Sequence, residues 1–178
     1  MKVIILLLLA ITTLYSDAVE RTVDKKLIST VISAEKAGVK YHKQGNFEKA
    51  FEKLSFSAQG GIKQSQYLLG IMYFKGQHVK QSLATGMAWL GVANEIHMKD
   101  WEATYSNIYT KLNAKQQGYI DKLVAEYIER YGMKTQKLTC KKKAVLGRRK
   151  MQLHCNFRED RSSPDYELEK LQSINLLH

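Results

Sequence analysis

Residues 67–93, YLLGIMYFKGQHVKQSLATGMAWLGVA, decide the fold. Leu68, Leu69, Met72 and Tyr73 recur at helical spacing and make one apolar stripe. Gly76 suits the end of that helix, because glycine takes a left-handed conformation without a Cβ clash. Ser82 is placed to cap a second helix whose inner face carries Leu83, Ala88, Trp89 and Ala93. Gly70, Ala84, Ala88 and Ala93 are small enough for two backbones to approach closely, while Tyr73 and Trp89 fill the remaining volume. The stretch predicts two antiparallel helices joined by a tight loop, the unit of an α-solenoid.

Working outward, the same unit reads twice more. Upstream, Leu27, Ile28, Val31, Ile32, Ala34, Ala37 and Tyr41 form a helical stripe, broken by Gly45-Asn46. A second helix then starts at Phe47, carries Ala50, Phe51, Leu54 and Ala58, and closes at Gly60-Gly61. Tyr41 corresponds to Tyr73 and Ala58 to Ala93, offsets of 32 and 35 residues that suit repeats of this kind. Downstream, Trp101, Tyr105, Ile108, Tyr109 and Leu112 make a third stripe, with Asp100 as its expected cap. Asn113 and Gln116 have the spacing of a capping box. They open a helix whose expected buried face is Ile120, Leu123, Val124, Tyr127, Ile128 and Tyr131, with Gly132 as its end. The helix pairs are thus expected at about 25–60, 63–96 and 101–131, the last closing the stack.

Leu69, Gly70, Tyr73, Gly76, Val79, Trp89 and Ala93, in that spacing, resemble a Sel-one-like repeat, a relative of the tetratricopeptide repeat. The chain departs from that pattern at Ser82, where the family usually has an acid, and at Gly86, where it usually has alanine. Serine caps equally well, but glycine within a helix is expected to cost about 1 kcal/mol. The resemblance covers about residues 34–132 and implies a non-catalytic scaffold or adaptor that binds another protein in a concave groove. Tyr41 and Tyr67, on the first helices of their pairs, are the aromatic side chains expected to face that groove in part.

The chain begins Met1-Lys2, followed by thirteen apolar-rich residues from Val3 to Tyr15 and then Ser16-Asp17-Ala18. A basic start, a short apolar run and small residues before the cut predict a signal peptide over 1–18, removed after Ala18. The run is shorter than the roughly 20 residues a membrane span needs, so no stable span is expected after processing. Residues 19–178 are then exported to the periplasm or secreted, with a helical domain over 19–132. The net charge of +11 survives the cut, since Lys2 and Asp17 leave together. Two cysteines in an exported chain point to one disulfide.

Past Gly132 the apolar period changes from helical to alternating, predicting a β-hairpin over 133–158. With Gly147-Arg148 as a two-residue turn, Leu138 pairs with Phe157, Cys140 with Cys155, Lys142 with Leu153 and Ala144 with Met151 on one face. Thr139, Lys141, Lys143, His154 and Asn156 take the other. Directly opposed antiparallel residues are close enough to bond, so Cys140 and Cys155 are the expected disulfide. In the tail, 159–178, Ser163-Pro164 can open a short helix bearing Leu168, Leu171 and Ile174; a disordered end fits equally well.

Catalytic patterns are missing from the sequence. No nucleophile elbow, phosphate-binding loop or helical histidine pair with glutamate occurs, and no cofactor or metal is expected. The five histidines are scattered, and His154 beside Cys155 lacks the further ligands that structural zinc takes. Tyr73, Trp89, Trp101, Tyr105, Tyr127 and Tyr131 lie on apolar stripes, where core packing explains them better than a ligand pocket does. The basic cluster Lys141, Lys142, Lys143, Arg148, Arg149 and Lys150 reads first as a solvated strand edge. As a binding surface it suits an anionic envelope component; nucleic acid ranks last, since export removes the opportunity and no reader motif is present.

Overall fold

The computed structural model of the chain describes residues 25–144 and 151–157. The expected signal peptide and its cut after Ala18, the hairpin tip with Arg148, Arg149 and Lys150, and the tail lie outside these residues.

The described chain is mostly helical, with one small antiparallel hairpin at its C-terminal end. Helix α1 covers residues 25–43. It is followed by α2 (Phe47–Gln59), α3 (Lys63–Lys75), α4 (Leu83–Ala93), a single 3₁₀ turn (Asn94–Ile96), α5 (Lys99–Tyr109) and α6 (Ala114–Tyr131). Local chemistry sets most of the boundaries. The side chains of Asn46 and Ser82 accept from the backbone N–H of Lys49 and Thr85. Asn113 and Gln116 form the reciprocal capping box. Gly76 ends α3 at φ 67°, in the left-handed region where a side chain would be strained. Asp100 is not the cap of α5: Met98 holds that position, and Asp100 sits in the first turn, where the helix dipole favours an acid.

Helix α3 is the hub. It packs on α2 and most extensively on α4, and α4 in turn packs on α6. The α3–α4 contact brings two helix backbones together. A Cβ at Gly70 would stand 2.8 Å from Leu90 Cγ and 3.0 Å from the Gly86 carbonyl oxygen; one at Gly86 would stand 3.1 Å from the Gly70 oxygen. Gly86 therefore gives up helix propensity in exchange for backbone-to-backbone contact with Gly70, where alanine would force the helices apart.

The core runs as linked clusters along the stack. Ala50, Leu54 and Met72 join α2 to α3; Ala58, Leu69, Trp89 and Val92 join α2, α3 and α4; Met87, Leu90 and Ile120 join α4 to α6. Two expected core residues are more open. Leu83 is 39% exposed, in the first turn of α4 directly after its cap. Ile128 is 37% exposed, and it is absent from the clusters through which α6 packs on its neighbours. Ile120 is the buried residue of that helix.

Strands β1 (Leu138–Ala144) and β2 (Met151–Phe157) pair in the expected register, Cys140 opposite Cys155 and Leu138 opposite Phe157. The cysteines form a disulfide, with Cα atoms 4.0 Å apart. The apolar face of the hairpin closes one flank of the stack. Leu138, Cys140, Cys155 and Phe157 pack with Leu27 and Val31 of α1 and with Ile62. Cys140 and Leu153 also meet Trp101, Met98 and Tyr67. The hairpin thus covers the starts of α1, α3 and α5 together.

Candidate functional site

The residues that carry the repeat resemblance hold the central helix pair together. Leu69, Trp89 and Ala93 are buried, Gly70 sets the α3–α4 approach, Gly76 makes the turn, and Tyr73 and Val79 are half-buried. Around Trp89 they build an aromatic surface. The indole meets Tyr127 edge-on, centroids 5.0 Å apart, and stacks on Tyr131 at 4.9 Å. Tyr73 meets Phe51 edge-on at 5.7 Å, and both rings border the same cluster. Trp89 is the buried floor, 5% exposed, while Phe51, Tyr73, Tyr127 and Tyr131 are half-buried around it. Among the described residues no hydrogen bond uses the hydroxyl of Tyr73, Tyr127 or Tyr131. Burial first, then the neighbouring Tyr131 and Tyr73, pushes the Tyr127 pKa up to about 12. Burial raises the Tyr73 pKa as well, so the Tyr73 and Tyr127 hydroxyls present neutral donors and acceptors on an apolar body, the chemistry of recognition surfaces.

The two tyrosines expected to face the groove in part, Tyr41 and Tyr67, are both half-buried and belong to different clusters. Tyr67 stacks on Trp101 at 4.6 Å and its hydroxyl meets Thr104, joining α3 to α5 beneath the hairpin. Tyr41 packs in the α1–α2–α3 core, with the Lys49 ammonium 5.7 Å from its ring centre.

Beneath the aromatic surface lies a polar node that sequence reading missed. Lys63 is fully buried, and its ammonium donates to Gln66 Oε1 (2.8 Å), the Val92 carbonyl (3.2 Å) and Glu95 Oε2 (2.6 Å). Gln66 in turn donates to the carbonyls of Ala58 and Tyr131, both at 2.9 Å, and Glu95 accepts from the Met133 N–H. The last carbonyls of α2, α4 and α6, which helix geometry leaves unpaired, thus converge on two side chains of α3. Placing a cation there also suits the negative ends of those helix dipoles. Burial lowers the Lys63 pKa, and the Glu95 carboxylate opposes that shift. The available signal was spacing: Lys63 and Gln66 share a helix face with Gly70, so polar groups interrupt the side that contacts α4.

The hairpin presents a different surface. Lys141 and Lys143 are exposed and point away from the body with His154 and Asn156. Lys142, on the opposite face, donates to the His97 carbonyl at 2.9 Å. His97 Nδ1 and Glu102 lie 2.8 Å apart, yet among the described residues no group of three or more His, Cys, Asp or Glu side chains is placed to hold a metal ion. Nor, among them, is any helix long and apolar enough to cross a membrane.

No protein-family model matches the chain, and no curated protein matches it either.

Proposed function

We propose that this is an exported, non-catalytic helical-repeat protein of Sel-one-like type, which binds another protein and so acts as a scaffold or adaptor. The observation that carries this reading is the aromatic surface around Trp89. Tyrosine and tryptophan bury large area at low entropic cost and are enriched where proteins meet. The hairpin packs over the starts of α1, α3 and α5, with Tyr67 stacked on Trp101 beneath it. The flank formed by Tyr73 of α3 and Tyr127 and Tyr131 of α6 is the better contact surface. Periplasmic or secreted location, after removal of residues 1–18, is supported by the disulfide, since such bonds are rare where thiols are kept reduced. A photoreactive phenylalanine analogue at position 127 tests the surface, with position 122 on the outer side of α6 as control. The reading expects one discrete protein adduct from 127 and none from 122. Equal labelling from both, or none from 127, would overturn it.

A second reading has its own observation. From Arg130 to Phe157 every Lys, Arg, Asp or Glu in the sequence is basic, and Lys141 and Lys143 stand exposed on the hairpin. That suits an anionic envelope component held electrostatically. Retention on an anionic matrix should then fall steeply with salt and be lost in K141E/K143E; unchanged retention of that variant refutes it.

A further inference from the structure

The outer face of the hairpin is built in rungs. Pairing sets Thr139 opposite Asn156 and Lys141 opposite His154, and Lys143 follows Lys141 on the same face of β1. Strand geometry puts Lys141 and Lys143 about 6.8 Å apart. Cys140 and Cys155, with Cα atoms 4.0 Å apart, form the closer of the two pair types that alternate along an antiparallel ladder. Lys141 and His154 are therefore of the wider type, about 5.5 Å across at Cα. Lys141, Lys143, His154 and Asn156 are exposed, and Thr139 is half-buried. Among the described residues no carboxylate forms an ion pair with either lysine. Lys142, on the other face, is held by the His97 carbonyl and does not join the row.

The composition of that face selects among anions. It carries lysines and no arginine, hence point charges without the planar fork that grips a carboxylate at both oxygens. It carries no tyrosine, tryptophan or phenylalanine, the rings on which single-stranded nucleic acid stacks its bases. Two lysines in line are fewer than the roughly four to eight bases with which a segment holds an anionic bilayer. An exposed ion pair contributes little by itself, so an isolated phosphate gains almost nothing here. A chain of linked phosphates meets one cation after another and accumulates the small contributions. The neutral Thr139–Asn156 rung suits the hydroxyl-bearing linkers of such a chain.

We propose that the outer face of the hairpin, through Lys141, Lys143 and His154, binds a phosphodiester-linked sugar or polyol chain laid along β1. This rests on the second reading above and narrows its anionic envelope component to one chemistry. His154 supplies a charge that depends on protonation. An imidazole gains its proton between about pH 8 and pH 5, whereas a phosphodiester keeps its single charge throughout. The charged groups beside His154 on this face are Lys141 and Lys143, so its proton completes a triangle of cations. Acidic conditions therefore tighten binding.

Binding of a labelled poly(glycerol phosphate) to the full chain at low salt, read by fluorescence anisotropy, tests this. The affinity should be about threefold higher near pH 5.5 than near pH 8. K141Q/K143Q should weaken it about tenfold, while H154Q should keep the affinity seen near pH 8 and lose the pH dependence. Polyglutamate of matched charge should bind about threefold more weakly or worse, and inorganic phosphate at equal phosphate concentration should not compete. Equal affinity for polyglutamate overturns the phosphodiester assignment and leaves the broader anionic reading standing. Tighter binding to phosphatidylglycerol vesicles or to single-stranded DNA overturns it likewise. Binding of none of these overturns both, and a pH response that persists in H154Q refutes the part given to His154.

Discussion

The Lys63 ammonium lies 2.6 Å from Glu95 Oε2, with the lysine side chain wholly buried and the carboxylate 18% exposed. Truncating one partner of such a pair leaves the other charge stranded, at a cost of about 3–5 kcal/mol. Glu95→Ala should therefore destabilise the protein by about 3 kcal/mol, because it strands the ammonium. Lys63→Met should cost less, since Glu95 keeps some solvent and the Met133 N–H. Urea denaturation measures both, and a wild-type midpoint for Glu95→Ala contradicts the assignment.

Two glycines, one in α6 and one in α3, should respond in opposite directions. A Cβ at Gly118 meets nothing within 4 Å, so Gly118→Ala should stabilise α6 by roughly 0.5–1 kcal/mol. Gly70→Ala gains the same propensity but drives a methyl into Leu90 and the Gly86 carbonyl, for a net loss of about 1–3 kcal/mol. Thermal melts of the pair give the signs directly.

Reduction of Cys140–Cys155 should loosen the hairpin and spare most of the helical stack. The bridge closes a short loop worth about 3 kcal/mol in the chain-entropy model, and a two-stranded hairpin alone is marginal. The clusters joining α2, α3, α4 and α6 contain no hairpin residue. Hydrogen exchange in Leu138–Ala144 should accelerate under reductant while the far-ultraviolet helical signal persists. Loss of both together is the contrary result.

Stability should fall on the alkaline side. Burial above all pushes the pKa of Tyr105 and Tyr127 up to about 12. Between the ordinary value of 10 and that point, the unfolded chain releases these protons and the folded chain keeps them. The stabilisation is complete below pH 10 and is lost as pH rises through the folded values. Tyr127→Phe should flatten the decline of Tm between about pH 10 and 12, the window those values define.

Local chemistry was legible in the sequence wherever one residue type decides the outcome. Ser82, Asn113 and Gly76 announce helix ends, and the alternation around Cys140 and Cys155 fixes a register, because slipping by one residue would send the apolar side chains outward. The cost expected for Gly86 became intelligible once Gly70 stood against it, a contact between positions sixteen residues apart. Lys63 lies fully buried, and nothing local to it marks that, since its partners beyond α3 are the Val92 carbonyl at the end of α4 and Glu95 in the turn that follows. Leu83 and Ile128 fit apolar stripes, yet how much of each is covered depends on which neighbour arrives. The stacking of Tyr67 on Trp101 likewise joins residues far apart in the sequence.

The convergence of three helix ends on Lys63 and Gln66 bears on how the molecule comes apart. Linear repeat arrays usually fray from an end, because each unit touches only its neighbours. Here, peeling α6 away strips Gln66 of the Tyr131 carbonyl, and disturbing the chain after α4 strips Lys63 of its counter-ion. Partial melting therefore leaves unsatisfied groups in an apolar interior, which makes half-unravelled forms disproportionately unfavourable. The stack is tied crosswise, and it should lose its structure in a single concerted step.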